Sequence, residues 1–141
     1  MNILKGGFIF LADLVRAIDA PVEIDFMEVS SYGDGTESTG IVRILEDLSI
    51  SIEDRHLLII EDIIDTGLTL QYIIENLKTR HPKSVKICTL LDRQGRREVE
   101  IPLDYVGFVV PDVFVIGYGL DLAQRYRNLP YIGVIEGEEI P

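Results

Sequence analysis

Glu61, Asp62 and Asp65 stand beside a Thr66-Gly67-Leu68-Thr69 turn, and the group follows directly on the apolar run His56-Leu57-Leu58-Ile59-Ile60. A turn of that composition opening a helix offers backbone N–H groups, two hydroxyls and the positive end of a helix dipole, which together suit a phosphate. Carboxylates repel phosphate. A ligand that satisfies both halves carries a phosphate at one end and, beside it, hydroxyls or a metal ion that seek acceptors. A sugar phosphate does so. The plainer reading is that Asp65 or Thr66 only caps the following helix, which leaves the adjacent pair Glu61-Asp62 without a purpose.

The elements that must position these residues follow from hydropathy. His56 to Ile60 reads as a buried parallel strand. Leu70, Ile73, Ile74 and Leu77 at i, i+3, i+4 and i+7 form the stripe of an amphipathic helix, closed by Lys78, Arg80 and His81-Pro82. Val85 to Leu91 is the next strand, which makes a βαβ unit with its loops at the carboxyl edge of a parallel sheet. Upstream, Gly7 to Ile18 carries only Asp13 and Arg16 as polar side chains, so it predicts a helix covered on most sides, stopped before Pro21. Val22 to Val29 alternates as a strand, and Ile41 to Leu45 is its partner. Between them, Ser30 to Gly40 has eleven residues and three glycines where a hairpin needs two to five, so a flap is expected. Further strands are expected at Tyr105 to Val110, around Phe114 to Ile116, and at Tyr131 to Ile135.

With 141 residues the chain fits one domain. Its net charge of −11 argues against binding duplex nucleic acid or an anionic membrane, and its 47% hydrophobic content argues against disorder. The lone Cys88 precludes an internal disulfide and reads as a packed thiol, and with no signal-peptide pattern the expected location is the cytoplasm. His56 and His81 read as a strand-edge and a helix-end residue.

Glu61-Asp62-Ile63-Ile64-Asp65-Thr66-Gly67-Leu68-Thr69 resembles the phosphoribosyl pyrophosphate signature of the type I phosphoribosyltransferases. The rest of the chain is similar to their hypoxanthine-guanine branch, through Leu4-Lys5-Gly6-Gly7, Ser30-Ser31-Tyr32-Gly33, Leu90-Leu91-Asp92-Arg93, Tyr105-Val106-Gly107-Phe108, Pro111 to Asp121 and Arg125 to Pro130. The resemblance implies an α/β fold, a mainly parallel sheet flanked by helices, with a flap loop and a small C-terminal hood. Residues 1–141 would be one domain, with the flap at 30–40, the phosphoribosyl-binding segment at 59–69 and the base-binding region at 92–121.

It also implies roles. Glu61 and Asp62 would hold the ribose hydroxyls, Thr66, Gly67, Leu68 and Thr69 would wrap the 5′-phosphate, and Asp65 would face purine N7 as the acid/base group. Lys5 and Gly6 would form the pyrophosphate loop, with a cis Leu4–Lys5 peptide, although a Lys-Gly-Gly turn alone reads equally as a plain loop. Arg127 would neutralise the leaving group, and Ser31 and Tyr32 would lie on the flap that excludes water. Phe114 would stack on the base and Val115 would offer backbone groups to its edge; by residue type alone, Phe114 is core. Arg93 stands where the family has a lysine on the purine 6-oxo group, and its other reading is a solvated cation beside Arg96 and Arg97. Mg²⁺ would be held by Asp121, which also borders the base region, with Glu61 and Asp62. Leu122 stands where relatives have tyrosine.

The implied reaction is purine salvage: hypoxanthine or guanine plus phosphoribosyl pyrophosphate gives IMP or GMP plus pyrophosphate, in a homodimer or homotetramer. Non-catalytic phosphoribosyl binding and a different base, such as xanthine or a pyrimidine, are the alternatives. Family members carry a helix and a strand ahead of the Lys-Gly-Gly loop, where this sequence has Met1, Asn2 and Ile3. Met1 to Leu4 is therefore expected to act as a stub of that strand beside Leu57 to Ile60, with the remaining edge covered by self-association.

Overall fold

The computed structural model describes residues 1–31 and 42–135. Six strands form one sheet in the order β3-β2-β1-β4-β5-β6: β1 (Asn2–Leu4), β2 (Phe26–Ser31), β3 (Val42–Glu46), β4 (His56–Ile64), β5 (Ser84–Asp92) and β6 (Tyr105–Val109). All neighbours run parallel except β2 and β3. Helix α1 (Phe8–Ala17) links β1 to β2, and α2 (Leu68–Lys78) links β4 to β5. A second sheet of β7 (Val115–Ile116) and β8 (Gly133–Val134) is antiparallel and forms the expected small hood.

The period-2 pattern of β4 explains how both faces are covered. Leu57 and Ile59 join Met27, Leu70, Ile73, Leu77 and Ile87 on the α2 side. Leu58 and Ile60 meet Leu11, Leu14 and Cys88 on the α1 side. Where burial is complete, as at Ile59, Ile73 and Leu77, it stabilises each side chain by roughly 1.5–3 kcal/mol.

β1 and β4 are adjacent, and their crossovers leave in opposite directions, from β1 to β2 and from β4 to β5. That is the switch point of an open α/β sheet, where the carboxyl ends of the strands leave a crevice for ligand. The loops there are Lys5 to Gly7 after β1 and Asp65 to Gly67 after β4.

Met1 to Leu4 does act as the strand expected of it. The Met1 ammonium donates to Leu58 O at 2.7 Å, Ile60 N to Met1 O at 2.9 Å, and Asn2 Nδ2 to Ile60 O at 3.0 Å. Asn2 is fully buried, a polar side chain joining β1 to β4.

Three expectations are corrected. The stretch Val22 to Val29 is strand only from Phe26; Val22 and Ile24 are exposed, because no neighbouring strand runs beside them. Helix α1 is not covered on most sides: Leu11 alone is buried and Phe8 is 40% exposed, since the sheet covers one face only. β4 continues four residues past Ile60, because β5 pairs with it as far as Ile64↔Asp92. Glu61 and Asp62 are thus within the strand, and its alternation sends them to opposite faces.

Candidate active site

The end of β4 carries the carboxylates to the crevice. Asp62 follows the α1-side parity, and the loop after β1 is pressed onto it so closely that a Cβ on Gly6 would collide with its carboxylate. Glu61 follows the α2-side parity. Burial first, and then the charge of Asp62, holds the Glu61 carboxyl well above its usual range. Burial also pushes Asp62 up, together with the charge of Asp121, while the Ile63 amide and Arg127 pull it down. Two partly buried acids that ionise at a cost are groups that a ring of hydroxyls or a cation would relieve.

At the next turn, α2 opens without a side-chain cap. Its N-cap is Gly67 in the left-handed region at φ 87°, and a Cβ there would approach Ile101 Cδ1 to 2.9 Å. The capping reading of Asp65 and Thr66 is thereby corrected: Thr66 Oγ1 makes only a long 3.4 Å contact with the Leu68 amide. The Thr66 carbonyl accepts from Glu98 N and Val99 N, which anchors the loop after β5 onto this turn.

Asp65 faces Arg93, not the helix. Arg93 NH1 lies 3.3 Å from Asp65 Oδ2, and the Arg93 side chain is 9% exposed, so the reading of Arg93 as a solvated cation does not hold. Arg93 N also donates to Ile64 O. Asp65 Oδ1 and Arg93 Nε, an acceptor and a donor on the two members of this pair, are both buried without a partner among the described residues. Arg96, by contrast, is an exposed cation paired with Asp112.

The hood supplies the opposite wall. Asp121 pairs with Arg127 at 2.9 Å and accepts from Gln124 N at 2.8 Å, and Arg127 NH1 donates to Gly119 O at 2.8 Å. Gly119, at φ 101°, lies against Gly6, where a Cβ would strike the Gly6 carbonyl. The Leu4–Lys5 peptide is cis, and the Lys5 side chain is exposed. Lys5, Gly6, Asp62, Asp121 and Arg127 are therefore one neighbourhood.

Phe114 is partly buried and Val115 buried. Ile135 N donates to Phe114 O, and Val115 stands opposite Val134. In an antiparallel ladder the hydrogen-bonded and non-hydrogen-bonded pairs alternate, so the N–H and C=O of Val115 turn away from β8. Among the described residues no other backbone group bonds them, which leaves them able to meet a ligand edge. The flap expectation falls on residues 32–40 and the Ser31 side chain, which lie outside the described residues, so Tyr32 is not placed.

Two groups escaped sequence reasoning. Asp92, 4% exposed, binds Arg97 and accepts from Gln94 Nε2 at 3.0 Å, fixing the loop after β5. Tyr118 Oη donates to Asp13 Oδ2, joining the hood to α1. The first could have been sought in an acid followed five residues later by a base; the second has no local signal, since 105 positions separate its partners.

Comparison with known proteins agrees with this geometry. A family model described as the phosphoribosyl transferase domain matches residues 1–123. The hypoxanthine-guanine phosphoribosyltransferase of Bacillus subtilis (strain 168) is 57% identical over 136 residues, covering 96% of this chain and 76% of that protein. The bifunctional protein TilS/HprT of Listeria monocytogenes serotype 4b (strain F2365) is 56% identical over 138 residues, 98% of this chain and 21% of that one. A crystal structure of a hypoxanthine phosphoribosyltransferase from Staphylococcus aureus matches with a TM-score of 0.92 and 54% identity, covering 96% of this chain and 73% of that one. The chain belongs to the phosphoribosyltransferase domain family, with the type I fold. It spans about a fifth of the bifunctional relative and about three quarters of the two others.

Proposed function

We propose that the chain is a purine salvage transferase, moving the 5-phosphoribosyl group from phosphoribosyl pyrophosphate to N9 of hypoxanthine or guanine and releasing IMP or GMP and pyrophosphate. The observation that carries this reading is the pair Glu61 and Asp62 at the switch point, between two backbone turns suited to phosphate: Lys5 to Gly7 on one side and Thr66 to Thr69 on the other. A substrate with a phosphate at C5 and a diphosphate at C1 spans those turns and sets its ribose hydroxyls over the carboxylates.

The remaining roles follow. Thr66, Gly67, Leu68 and Thr69 bind the 5′-phosphate with amides and hydroxyls at the uncapped end of α2. Lys5, Gly6 and Arg127 meet the diphosphate, on which negative charge grows as the anomeric C–O bond breaks. The base edge lies between Arg93 and the free backbone of Val115, with Phe114 against its face. Hypoxanthine with a proton on N7 presents a donor to Asp65 Oδ1 and its 6-oxo group to Arg93 Nε, which satisfies both orphaned atoms. Asp65 then takes the N7 proton as N9 attacks.

Among the described residues no three acidic, His or Cys side chains converge on one point, and Glu61 leaves the other face of β4 from Asp62. Mg²⁺ would therefore be held by Asp121 and Asp62 alone, which suits an ion that binds through one or two carboxylates together with substrate phosphates and retained waters. The raised Asp62 carboxyl, close enough to Asp121 to feel its charge, fits a site where a cation relieves both. When bound, it offsets charge on the diphosphate.

The exposed apolar edge strand β6 supports assembly into a homodimer or homotetramer, and no helix among the described residues is long and apolar enough to cross a membrane. The net charge of −11 argues against a nucleic-acid partner. A cytoplasmic setting and a single domain over residues 1–141 complete the proposal.

The test is spectrophotometric turnover of hypoxanthine, guanine, xanthine and adenine with phosphoribosyl pyrophosphate and Mg²⁺. Turnover of the first two supports the reading. Binding of the diphosphate substrate without turnover would replace it with a non-catalytic binding protein, and preference for xanthine or adenine would overturn the base assignment.

A further inference from the structure

Gly117, Tyr118 and Gly119 take positive φ in succession, at 89°, 52° and 101°. Glycine adopts such a backbone freely, but a tyrosine in the left-handed region persists only where its surroundings over-determine it. Backbone bonds account for part of that: Tyr118 N donates to Leu129 O at 2.8 Å, Gly119 N to Arg127 O at 3.0 Å, and Gly117 N to Leu120 O at 2.9 Å. Those contacts tie the turn to the hood. They do not tie the hood to the rest of the molecule.

The side chain of Tyr118 does. Its hydroxyl donates to Asp13 Oδ2 on the second turn of α1, while Arg16 holds the other oxygen, Oδ1. Helix α1 begins at the Lys5-Gly6-Gly7 loop, so the bond bridges the two bodies that flank the diphosphate end of the crevice. Gly119 is seated on Gly6, and Arg127, bound to both Gly119 O and Asp121, is carried by the same turn. Burial, then the bond to Asp13, pushes the phenol up to about 12, so Tyr118 remains a donor at neutral pH.

We propose that Tyr118 is a positioning residue of the diphosphate end of the site: through Asp13 it latches the Gly117–Gly119 turn onto α1 and sets the distance between Arg127 and the Lys5–Gly7 loop. Neither side chain need touch substrate. The proposal rests on the transferase reading above, and it makes a kinetic statement that a merely structural bond would not. Loosening the latch weakens a grip on the diphosphate that is shared by ground and transition states, so it raises the KM for that substrate and spares kcat.

The experiment uses residues 1–141 with Y118F, D13A, D13N and the Y118F/D13A double variant. Wild-type turnover is measured first. Y118F and D13A are each expected to raise the KM for phosphoribosyl pyrophosphate about three- to tenfold, the span of a hydrogen bond lost at a partly exposed position. Turnover number and the KM for hypoxanthine should stay within about twofold. D13N, which retains an acceptor oxygen, should fall between D13A and wild type. The double variant should be no worse than the poorer single, because one bond is removed once. Unchanged KM values with only a lowered melting temperature, an equal loss in kcat, or single effects that multiply in the double variant would each overturn the latch. Should the wild type show no turnover, the transferase reading fails separately. Calorimetric titration with inorganic pyrophosphate then decides the latch: Y118F must weaken that binding by the same factor, and unchanged binding overturns it.

Discussion

Ionising Glu61 and Asp62 on neighbouring positions of one strand costs free energy before any ligand arrives, because burial raises both carboxyls and the charge of Asp62 raises Glu61 further. A carboxyl whose folded-state pKa lies above its unfolded value holds its proton more tightly in the folded chain. Stability therefore falls as pH rises through that window, and the penalty is fully present above it. In magnesium-free buffer E61Q should melt above the wild type near pH 7, with the gain vanishing below about pH 4, as a pH series of thermal melts would show. The same variant should lose affinity for the ribose. Asp65 belongs to a different part of the proposed chemistry, since Arg93 holds one oxygen and the other has no partner among the described residues. D65N keeps the shape but cannot take a proton, so turnover should drop on the order of 10²–10⁴-fold while the Kd for phosphoribosyl pyrophosphate changes little. Single-turnover kinetics beside equilibrium binding separates these, and unchanged turnover would remove Asp65 from the mechanism.

Elements are held in place by a few carboxylates that are far from the site. Asp25, just ahead of β2, accepts from Phe26 N at 2.9 Å, Ser49 N at 2.8 Å, Ile50 N at 2.9 Å and Ser49 Oγ at 3.1 Å, so it staples the loop after β3 to the start of β2. Burial alone would raise this carboxyl, but the four hydrogen bonds together win and hold it below the usual range. Its contribution is present above the unfolded value near 3.9 and is lost as pH falls through the folded one. D25N should cost about 1–3 kcal/mol in urea melts near pH 7, and the difference from wild type should shrink below about pH 3. A constant difference across pH would assign the effect to packing. Asn2 works at the same scale, since its donation to Ile60 O adds to the backbone bonds that hold the three-residue β1 between longer strands.

Across the whole molecule, apolar surface is concentrated on β6, where Tyr105, Val106, Phe108 and Val109 are 53%, 41%, 64% and 61% exposed. β5 pairs with one side of this strand, and among the described residues no strand pairs with the other. An apolar edge of that kind invites a second chain. V109K should shift the protein toward a smaller species in light scattering across a dilution series, leaving the melting temperature of the dilute sample nearly unchanged. An assembly state indifferent to V109K would place the interface elsewhere.

The order of strands and helices was legible in the sequence alone, because it depends on local pattern: the apolar run Leu57 to Ile60 and the Leu70, Ile73, Leu77 stripe hold information within a few residues of each other. The segment from Glu61 to Thr69 was legible as a candidate site for a phosphate and a sugar for the same reason. Where β4 would end was not, since pairing with β5 as far as Asp92 extends it beyond its apolar run. Nor was the exposure of α1, because a helix apolar on most sides states only that it seeks cover, while its surroundings decide how much it receives. Tertiary structure also turned Asp65 from a helix cap into the partner of Arg93, and it joined Tyr118 to Asp13 across 105 positions. Local spacing specifies what a side chain can do. Which partner it meets depends on how the crossovers from β1 and β4 diverge, a property of the whole sheet that no window of the sequence contains.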